Sequence, residues 1–152
     1  MMSEKSINVL YVDDEKDNLR AFTATFRRSF NVITALSSSD AELALANQDI
    51  HILITDQRMP VKTGTELLAH AVKKYPDKIR ILLTAYADIT CLEDAINIGH
   101  IYKYFKKPWH EEELRAAIEE GYKLFCLQKE RDKLVKELEN RTFEVNKILN
   151  QK

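Results

Sequence analysis

The sequence predicts a doubly wound α/β domain, with a five-stranded parallel sheet between two layers of helices, and an extended C-terminal helix. Short apolar segments alternate with amphipathic segments along the first two thirds of the chain. From Glu111 to about Leu149 the helical pattern continues without a proline. The alternation favours a parallel sheet that is covered on both faces, with short right-handed crossovers between its strands.

Five segments have the length and composition of strands. They span residues 7–12, 32–36, 50–55, 79–83 and 101–105. Helical spacing of apolar residues predicts helices at 16–28, 66–75, 88–98 and 111–149. Between the second and third strands, Ser38 or Ser39 is expected to cap a further helix, since a serine hydroxyl can accept from the first free backbone N–H groups.

Charge and composition weigh against several classes of function. The 152 residues carry a formal net charge of -1, so nothing favours direct binding to nucleic acid or to an anionic membrane. No apolar run approaches the length of a membrane span, and the polar start is not typical of a signal peptide. Cys91 and Cys126 form no CxxC pair. The chain is therefore interpreted as cytoplasmic, with no redox or zinc site indicated.

Polar side chains stand at the ends of the predicted strands. They are Asp13, Asp14, Asp56, Thr84 and Lys107. In a doubly wound sheet the carboxyl ends of the strands meet in one crevice, so these groups are expected to lie together. Three converging carboxylates repel one another unless a cation neutralises them, and oxygen ligands select a hard ion such as Mg²⁺. The hydroxyl and the lysine could bind phosphoryl oxygens, and a carboxylate can form an acyl phosphate.

Four short strings resemble the signatures of the receiver domains of two-component response regulators. They are Val12-Asp13-Asp14-Glu15, Thr55-Asp56-Gln57-Arg58-Met59-Pro60 with Gly64, Leu83-Thr84-Ala85, and Lys107-Pro108. The resemblance covers about residues 7–127. It implies the flavodoxin-like, three-layer receiver fold and a signalling domain that catalyses only its own phosphorylation and dephosphorylation.

The resemblance also implies roles for individual residues around a Mg²⁺ ion. Asp56 would be the phosphoacceptor, which receives the phosphoryl group from a sensor histidine kinase or a phosphotransfer protein. Asp14 and Asp56 would bind Mg²⁺ directly, together with the main-chain carbonyl of Arg58, and Asp13 would act largely through water. Arg58 and Tyr86 are further expected to hinder the water that attacks the phosphorylated aspartate.

Other residues would convert phosphorylation into a change of surface. Thr84 would hydrogen-bond the phosphoryl group, and Lys107 would pair with its charge, held inward by a cis bond to Pro108. Tyr104 stands three residues before Lys107, where the family has an aromatic switch residue. It would turn inward as Thr84 moves towards the phosphoryl group. The alternative is that Tyr104 is simply an amphipathic aromatic residue beside the sheet and has no role in switching.

The end of the chain is expected to form a separate functional part. A receiver domain over residues 1–127 is followed by a helical extension over 128–152. A heptad seam runs through Leu124, Leu127, Arg131, Leu134, Leu138, Arg141, Val145 and Ile148, of which six are apolar. This spacing favours a coiled coil and so a homodimer through the C-terminal helix. A solvated extension without a partner is the alternative that the two arginines leave open.

The sequence leaves open what the domain acts on after phosphorylation. The leading prediction is contact with a protein partner, and the extension is too short for a helix-turn-helix domain. Alternatively, the chain is the regulatory part of a larger enzyme, such as a cyclic-di-GMP phosphodiesterase or a protein phosphatase. A haloacid-dehalogenase-like hydrolase is disfavoured because its Asp-x-Asp pattern is absent after the first strand. A flavin-binding flavodoxin is disfavoured because Asp13-Asp14-Glu15 would repel the phosphate of the flavin.

Overall fold

The computed structural model describes residues 7–85 and 101–151. Strands and helices alternate along them as predicted. The elements are β1 (Asn8–Val12), α1 (Lys16–Phe26), β2 (Asn31–Ala35), α2 (Ser38–Asn47), β3 (Ile52–Asp56), α3 (Gly64–Lys74), β4 (Ile79–Thr84), β5 (Lys103–Lys106) and α4 (Glu111–Leu149). The helix predicted at 88–98 and Tyr86 lie outside the described residues. None of the described helices is long and apolar enough to cross a membrane.

The five strands form one sheet in the order β2-β1-β3-β4-β5, and every neighbouring pair is parallel. The predicted doubly wound sheet is confirmed. The chain leaves β1 in one direction to form β2 and returns on the other side of β1 to form β3. The strand order therefore reverses between β1 and β3, which is where such folds open a crevice at the carboxyl ends of the strands.

Two apolar cores cover the two faces of the sheet. On one face, Tyr11, Ile54 and neighbouring strand residues pack against Phe22 of α1 and Ile118 of α4. On the other face, Leu10 and its neighbours pack against α2 and α3. Alternate residues of β1 thus belong to different cores, as the two-residue period of a strand requires. All five residues of β3 are buried, and the strand has three consecutive apolar residues before Thr55 and Asp56.

Two helix starts differ from the prediction. The cap of α2 is Ser37, whose hydroxyl accepts a hydrogen bond from the Asp40 backbone N–H at 3.1 Å, so the prediction of Ser38 or Ser39 was wrong. Ser38 instead donates to the Lys62 carbonyl at 3.2 Å, which ties α2 to the loop after β3. The helix predicted from residue 66 begins at Gly64, because the Thr63 hydroxyl accepts from the third backbone N–H of α3.

The helix α4 packs on the sheet only along its first part. Its buried residues are Leu114, Ala117, Ile118, Gly121 and Phe125, and residues 129–151 are all exposed. At Gly121 the helix lies directly against the sheet. A Cβ atom there would lie 3.0 Å from Cγ2 of Ile79 and 3.4 Å from Cδ1 of Ile52. Glycine at this position lets the helix approach the apolar strand side chains directly.

Candidate functional site

Four charged side chains meet at the ends of β1 and β3 and in the loop after β5. They are Asp13, Asp14, Asp56 and Lys107, and Thr84 ends the neighbouring strand β4. One carboxylate oxygen from each of the three aspartates lies within 4.8 Å of the other two. Asp13 is fully buried and Asp56 is 8% exposed, whereas Asp14 is exposed. Parallel strands in register place their last residues at one edge, so residues far apart in sequence meet there.

Lys107 is the cation of this cluster. Its Nζ lies 2.8 Å from Oδ1 of Asp56 and 3.2 Å from Oδ2 of Asp13. The Lys107 backbone N–H donates to the Thr84 carbonyl at 2.9 Å, and the Lys107–Pro108 bond is cis, as predicted. One ammonium group is thus shared between two carboxylates that come from different strands.

A second set of hydrogen-bond donors surrounds Asp13, and none of them was predicted from the sequence to belong to the site. The Tyr11 hydroxyl donates to Oδ2 of Asp13 at 2.7 Å, and Nδ2 of Asn18 donates to the same oxygen at 3.1 Å. The Glu15 backbone N–H donates to Oδ1 at 3.0 Å. Tyr11 lies two residues before Asp13 on the same strand face, and this period-two spacing was the available signal.

Burial and charge shift three proton equilibria in the cluster. Burial, together with the Asp13 charge, raises the pKa of Asp56 above its usual range, although Lys107 partly offsets this effect. Burial alone would lower the pKa of Lys107, but the hydrogen bond to Asp56 and the two carboxylates raise it. Burial and the hydrogen bond to Asp13 raise the pKa of Tyr11, so its hydroxyl keeps its proton.

The loop between β3 and α3 turns tightly beside Asp56. A Cβ atom on Gly64 would collide with the Asp56 carbonyl oxygen and would lie 2.9 Å from Cδ1 of Leu82. The Gly64 backbone N–H donates to the Gln57 carbonyl at 3.0 Å, which closes the loop. Val61, at the exposed tip, has a φ of 70°, a left-handed conformation that is costly for a β-branched residue.

The remaining predicted residues have different environments. Thr84 is 2% exposed at the end of β4. Tyr104 is 44% exposed on β5, where it pairs in register with Leu82. Arg58 is exposed in the loop after Asp56. The structure therefore brings together the acidic groups and the lysine. Tyr86 lies outside the described residues, so the prediction that Arg58 and Tyr86 hinder the attacking water stays untested.

The oxygen atoms of the three clustered carboxylates fit a hard divalent cation. The three clustered groups are carboxylates, which supply oxygen ligands of the kind that Mg²⁺ prefers. Their mutual repulsion is only partly offset by Lys107, so a bound cation would lower the electrostatic cost of bringing them together.

Comparison with known families agrees with this geometry. The family model of the response regulator receiver domain matches residues 9–119, which include the four clustered side chains and Thr84. The chain belongs to the response regulator receiver domain family. Receiver domains are signalling domains, and Mg²⁺ and an aspartyl phosphate are general features of the family.

Curated relatives of this receiver domain include transcriptional regulators. The hydrogenase transcriptional regulatory protein HoxA of Cupriavidus necator is 33% identical over 141 residues, which cover 93% of this chain and 29% of that protein. HoxA of Bradyrhizobium diazoefficiens is 32% identical over 122 residues, covering 80% of this chain and 25% of that protein. The receiver domain therefore spans little more than a quarter of the length of these relatives.

The chain also matches solved structures of the same architecture, and each match covers nearly the whole of the solved chain. A structure described as an adenylate cyclase from Rhodopirellula baltica has a TM-score of 0.81 and 28% identity, and the match covers 85% of this chain and 96% of that one. The signal receiver domain of an HD domain-containing protein from Pseudomonas fluorescens Pf-5 has a TM-score of 0.75 and 29% identity, covering 79% and 97%. The receiver fold is thus shared with proteins whose names differ widely.

Proposed function

We propose that this receiver domain accepts a phosphoryl group on Asp56 from a phosphohistidine of a sensor histidine kinase or a phosphotransfer protein. The observation that carries the proposal is the position of the Asp56 carboxylate. It lies at the end of β3, beside the reversal of strand order, 2.8 Å from the Lys107 ammonium and within 4.8 Å of the other two carboxylates. A carboxylate oxygen would attack phosphorus as the bond to the imidazole nitrogen breaks.

The residues around Asp56 would stabilise the transfer. Asp14 and Asp56, with the main-chain carbonyl of Arg58, would hold Mg²⁺, and Asp13 would contribute largely through water. The bound ion would neutralise the charge on the phosphoryl oxygens. Lys107 would move from its shared position between the carboxylates to pair with a phosphoryl oxygen, since it already reaches Asp56.

The same event would change the surface near β5. Thr84 is buried at the end of β4, while Tyr104 is exposed two residues before the register partner of Thr84. In this proposal Thr84 moves towards the phosphoryl group, and Tyr104 turns inward into the space that Thr84 leaves. The equilibrium shifts only because the phosphoryl group interacts differently with the two arrangements.

The output is proposed to be a protein contact made by a dimer. Residues 1–127 would act as the receiver domain and residues 128–152 as a coiled-coil extension. Along the seam, Leu127, Leu134 and Leu138 are 68%, 54% and 65% exposed. Burying such side chains against a second copy of the chain would supply the driving force for a homodimer. The proposal includes a cytoplasmic location and no direct contact of this segment with nucleic acid.

A second candidate places this domain in a larger protein. The observation in its favour is that the chain spans only 25% and 29% of the two HoxA relatives. The name of one similar structure includes an HD domain, so a regulated enzyme such as a cyclic-di-GMP phosphodiesterase is one form of this candidate. A protein phosphatase is another. In either form the domain itself would still catalyse only its own phosphorylation and dephosphorylation.

Intact mass spectrometry after incubation with acetyl phosphate and MgCl₂ tests the phosphoacceptor. We expect one phosphoryl adduct on the wild-type chain, none on Asp56→Asn, and none when the metal is chelated. Asp17→Asn is the matched control, because Asp17 is a carboxylate with 94% side-chain exposure on α1, outside the cluster. An adduct that persists on Asp56→Asn, or no transfer to the wild type from acetyl phosphate and from a phosphorylated histidine kinase, would refute the assignment.

A further inference from the structure

The two oxygens of the Asp13 carboxylate have different partners. Oδ2 accepts three hydrogen bonds, from the Tyr11 hydroxyl at 2.7 Å, from Asn18 at 3.1 Å and from Lys107 at 3.2 Å. Oδ1 accepts one, from the Glu15 backbone N–H at 3.0 Å. A carboxylate oxygen has about two lone-pair positions, so Oδ2 is saturated. Oδ1 is the oxygen that retains acceptor capacity for an ion or its water.

Tyr11 makes the shortest of these hydrogen bonds and is rigidly held. Its side chain is 1% exposed in the core beneath the site. The ring stacks on Phe22 with 4.4 Å between centroids. A buried, stacked ring has little freedom to rotate, so the hydroxyl is fixed in position. Tyr11 thereby holds Oδ2 of Asp13 in place and leaves Oδ1 as the oxygen with fewer hydrogen bonds.

Tyr11 also limits the competition between Lys107 and a cation. Tyr11 donates without carrying a charge, whereas Lys107 brings a positive charge to the same Oδ2 atom. Lys107 is shared, since its Nζ is 2.8 Å from Asp56 and 3.2 Å from Asp13. Without the Tyr11 hydroxyl, a buried acceptor would lose its strongest neutral donor, and the Lys107 ammonium would be drawn further onto Asp13. A positive charge held there repels an incoming divalent cation.

We propose that Tyr11 is a positioning residue for Mg²⁺, acting through Asp13, and that its hydroxyl increases the affinity of the cluster for the ion. The inference rests on the proposed Mg²⁺ site. It concerns a residue that contacts Asp13, a member of the proposed metal site, and does not bind the metal itself. Partners of this kind typically change metal affinity by about 10-fold to 100-fold when they are removed.

Calorimetric titration of the unphosphorylated chain of residues 1–152 with MgCl₂ tests the proposal. Tyr11→Phe removes only the hydroxyl and keeps the ring against Phe22, and we expect it to raise the Kd for Mg²⁺ about 10-fold. Asn18→Ala, which removes a different donor from the same oxygen of Asp13, is expected to raise the Kd in the same direction. Tyr75→Phe is the matched control, since Tyr75 ends α3 away from the cluster, and it should bind Mg²⁺ like the wild type.

A double-mutant cycle separates positioning from a general structural effect. If Tyr11 acts through Asp13, Tyr11→Phe adds no further loss in an Asp13→Asn background, where the charged acceptor is gone. An unchanged Kd in Tyr11→Phe, or the same loss in both backgrounds, overturns the inference. Titration needs no phosphoryl transfer, so normal Mg²⁺ binding without an adduct on Asp56 would overturn only the phosphoacceptor assignment. A wild-type chain that binds no Mg²⁺ would overturn both the inference and the proposed metal site.

Discussion

The two parts of α4 are one continuous helix in opposite environments. Over residues 111–125 its apolar side chains face the sheet, and Ile118 is fully buried. Over residues 126–149 apolar side chains recur at helical spacing, yet Leu134 is 54% and Ile148 is 66% exposed. The difference shows that helical periodicity specifies an apolar face but not its partner. Where the sheet is present the face becomes core, and where the sheet ends the same kind of face is left for another molecule.

The boundary between the two parts is tied to the base of the sheet. The Phe125 ring lies 5.0 Å from the ring of His51, with the planes at 62°. One turn further on, Nζ of Lys129 lies 2.7 Å from Oδ2 of Asp77 and 5.5 Å above the Phe125 ring. These contacts hold α4 to the receiver domain at the point where the helix extends beyond the sheet. They also provide substitutions that test the contrast between the two parts.

The largest expected effect comes from truncating a buried apolar side chain in the first part of α4, compared with an exposed one in the second part. Ile118→Ala should lower the free energy of unfolding by roughly 2–5 kcal/mol, because it leaves a cavity in a close-packed core. Leu134→Ala should leave that free energy nearly unchanged at concentrations where the chain is monomeric. Urea unfolding followed by circular dichroism measures both values. Similar losses in the two variants would show that the extension packs on the body of the same chain.

A side chain added at Gly121, where the helix lies against the sheet, should also destabilise the fold. Gly121→Leu is expected to cost roughly 1–3 kcal/mol, because the new atoms meet Ile79 and Ile52 and force the helix outward. Lys133→Leu is the control, since Lys133 lies on the exposed part of the helix. The same urea unfolding measurement applies. A neutral effect of Gly121→Leu would mean that α4 can shift away from the sheet without cost.

The exposed seam is predicted to associate with its copy. Sedimentation equilibrium should find a dimer for residues 1–152 and a monomer for residues 1–127. Leu134→Ala should weaken the dimer roughly tenfold, or about 1.4 kcal/mol, since it removes apolar area from the seam. Phosphorylation of Asp56 by acetyl phosphate should survive the truncation. A shortened chain that remains dimeric would place the interface on the receiver domain instead.

The smallest effect is expected at the boundary, and it depends on pH. Burial alone would raise the pKa of Asp77, but Lys129, which hydrogen-bonds it, and Lys78 lower the pKa below the usual 3.8. A carboxyl whose pKa is lower in the folded state stabilises the fold above its unfolded pKa and loses this contribution as the pH falls through the folded value.

Lys129→Ala should therefore cost less than about 1 kcal/mol at neutral pH, because the pair is partly exposed. The cost should shrink as the pH falls below 3.8, the usual pKa of an aspartate. Urea unfolding of both proteins across this pH range measures the difference, with Lys133→Ala as the control. A cost that does not change with pH would assign the effect of Lys129 to its contact with the Phe125 ring.

The sequence was most informative where the chemistry is local. Asp56 and Thr84 were found because apolar segments end at them, and the structure places both at strand ends. The span of α4 was read correctly from the uninterrupted helical pattern. The cap of α2 was misplaced because adjacent serines have the same local propensity. In the structure Ser37 has the extended backbone of a cap residue, and its hydroxyl accepts the hydrogen bond from α2.

Tyr11 and Asn18 were missed for a different reason. A tyrosine in an apolar strand resembles any other core aromatic residue, and an asparagine in a helix resembles a surface residue. Their roles appear only once their donors meet Oδ2 of Asp13. The sequence also did not indicate that the fold buries Asp13 and exposes its neighbour Asp14.

The sequence by itself determined the order of strands and helices, the carboxylates and lysine of the site, and the length of the last helix. Each follows from the periodicity or the chemistry of residues that are close along the chain. Only the tertiary structure decided which strands are neighbours, how Lys107 is shared, and where α4 leaves the sheet. These features depend on packing and burial between segments far apart in sequence, and no local pattern encodes what a side chain will meet.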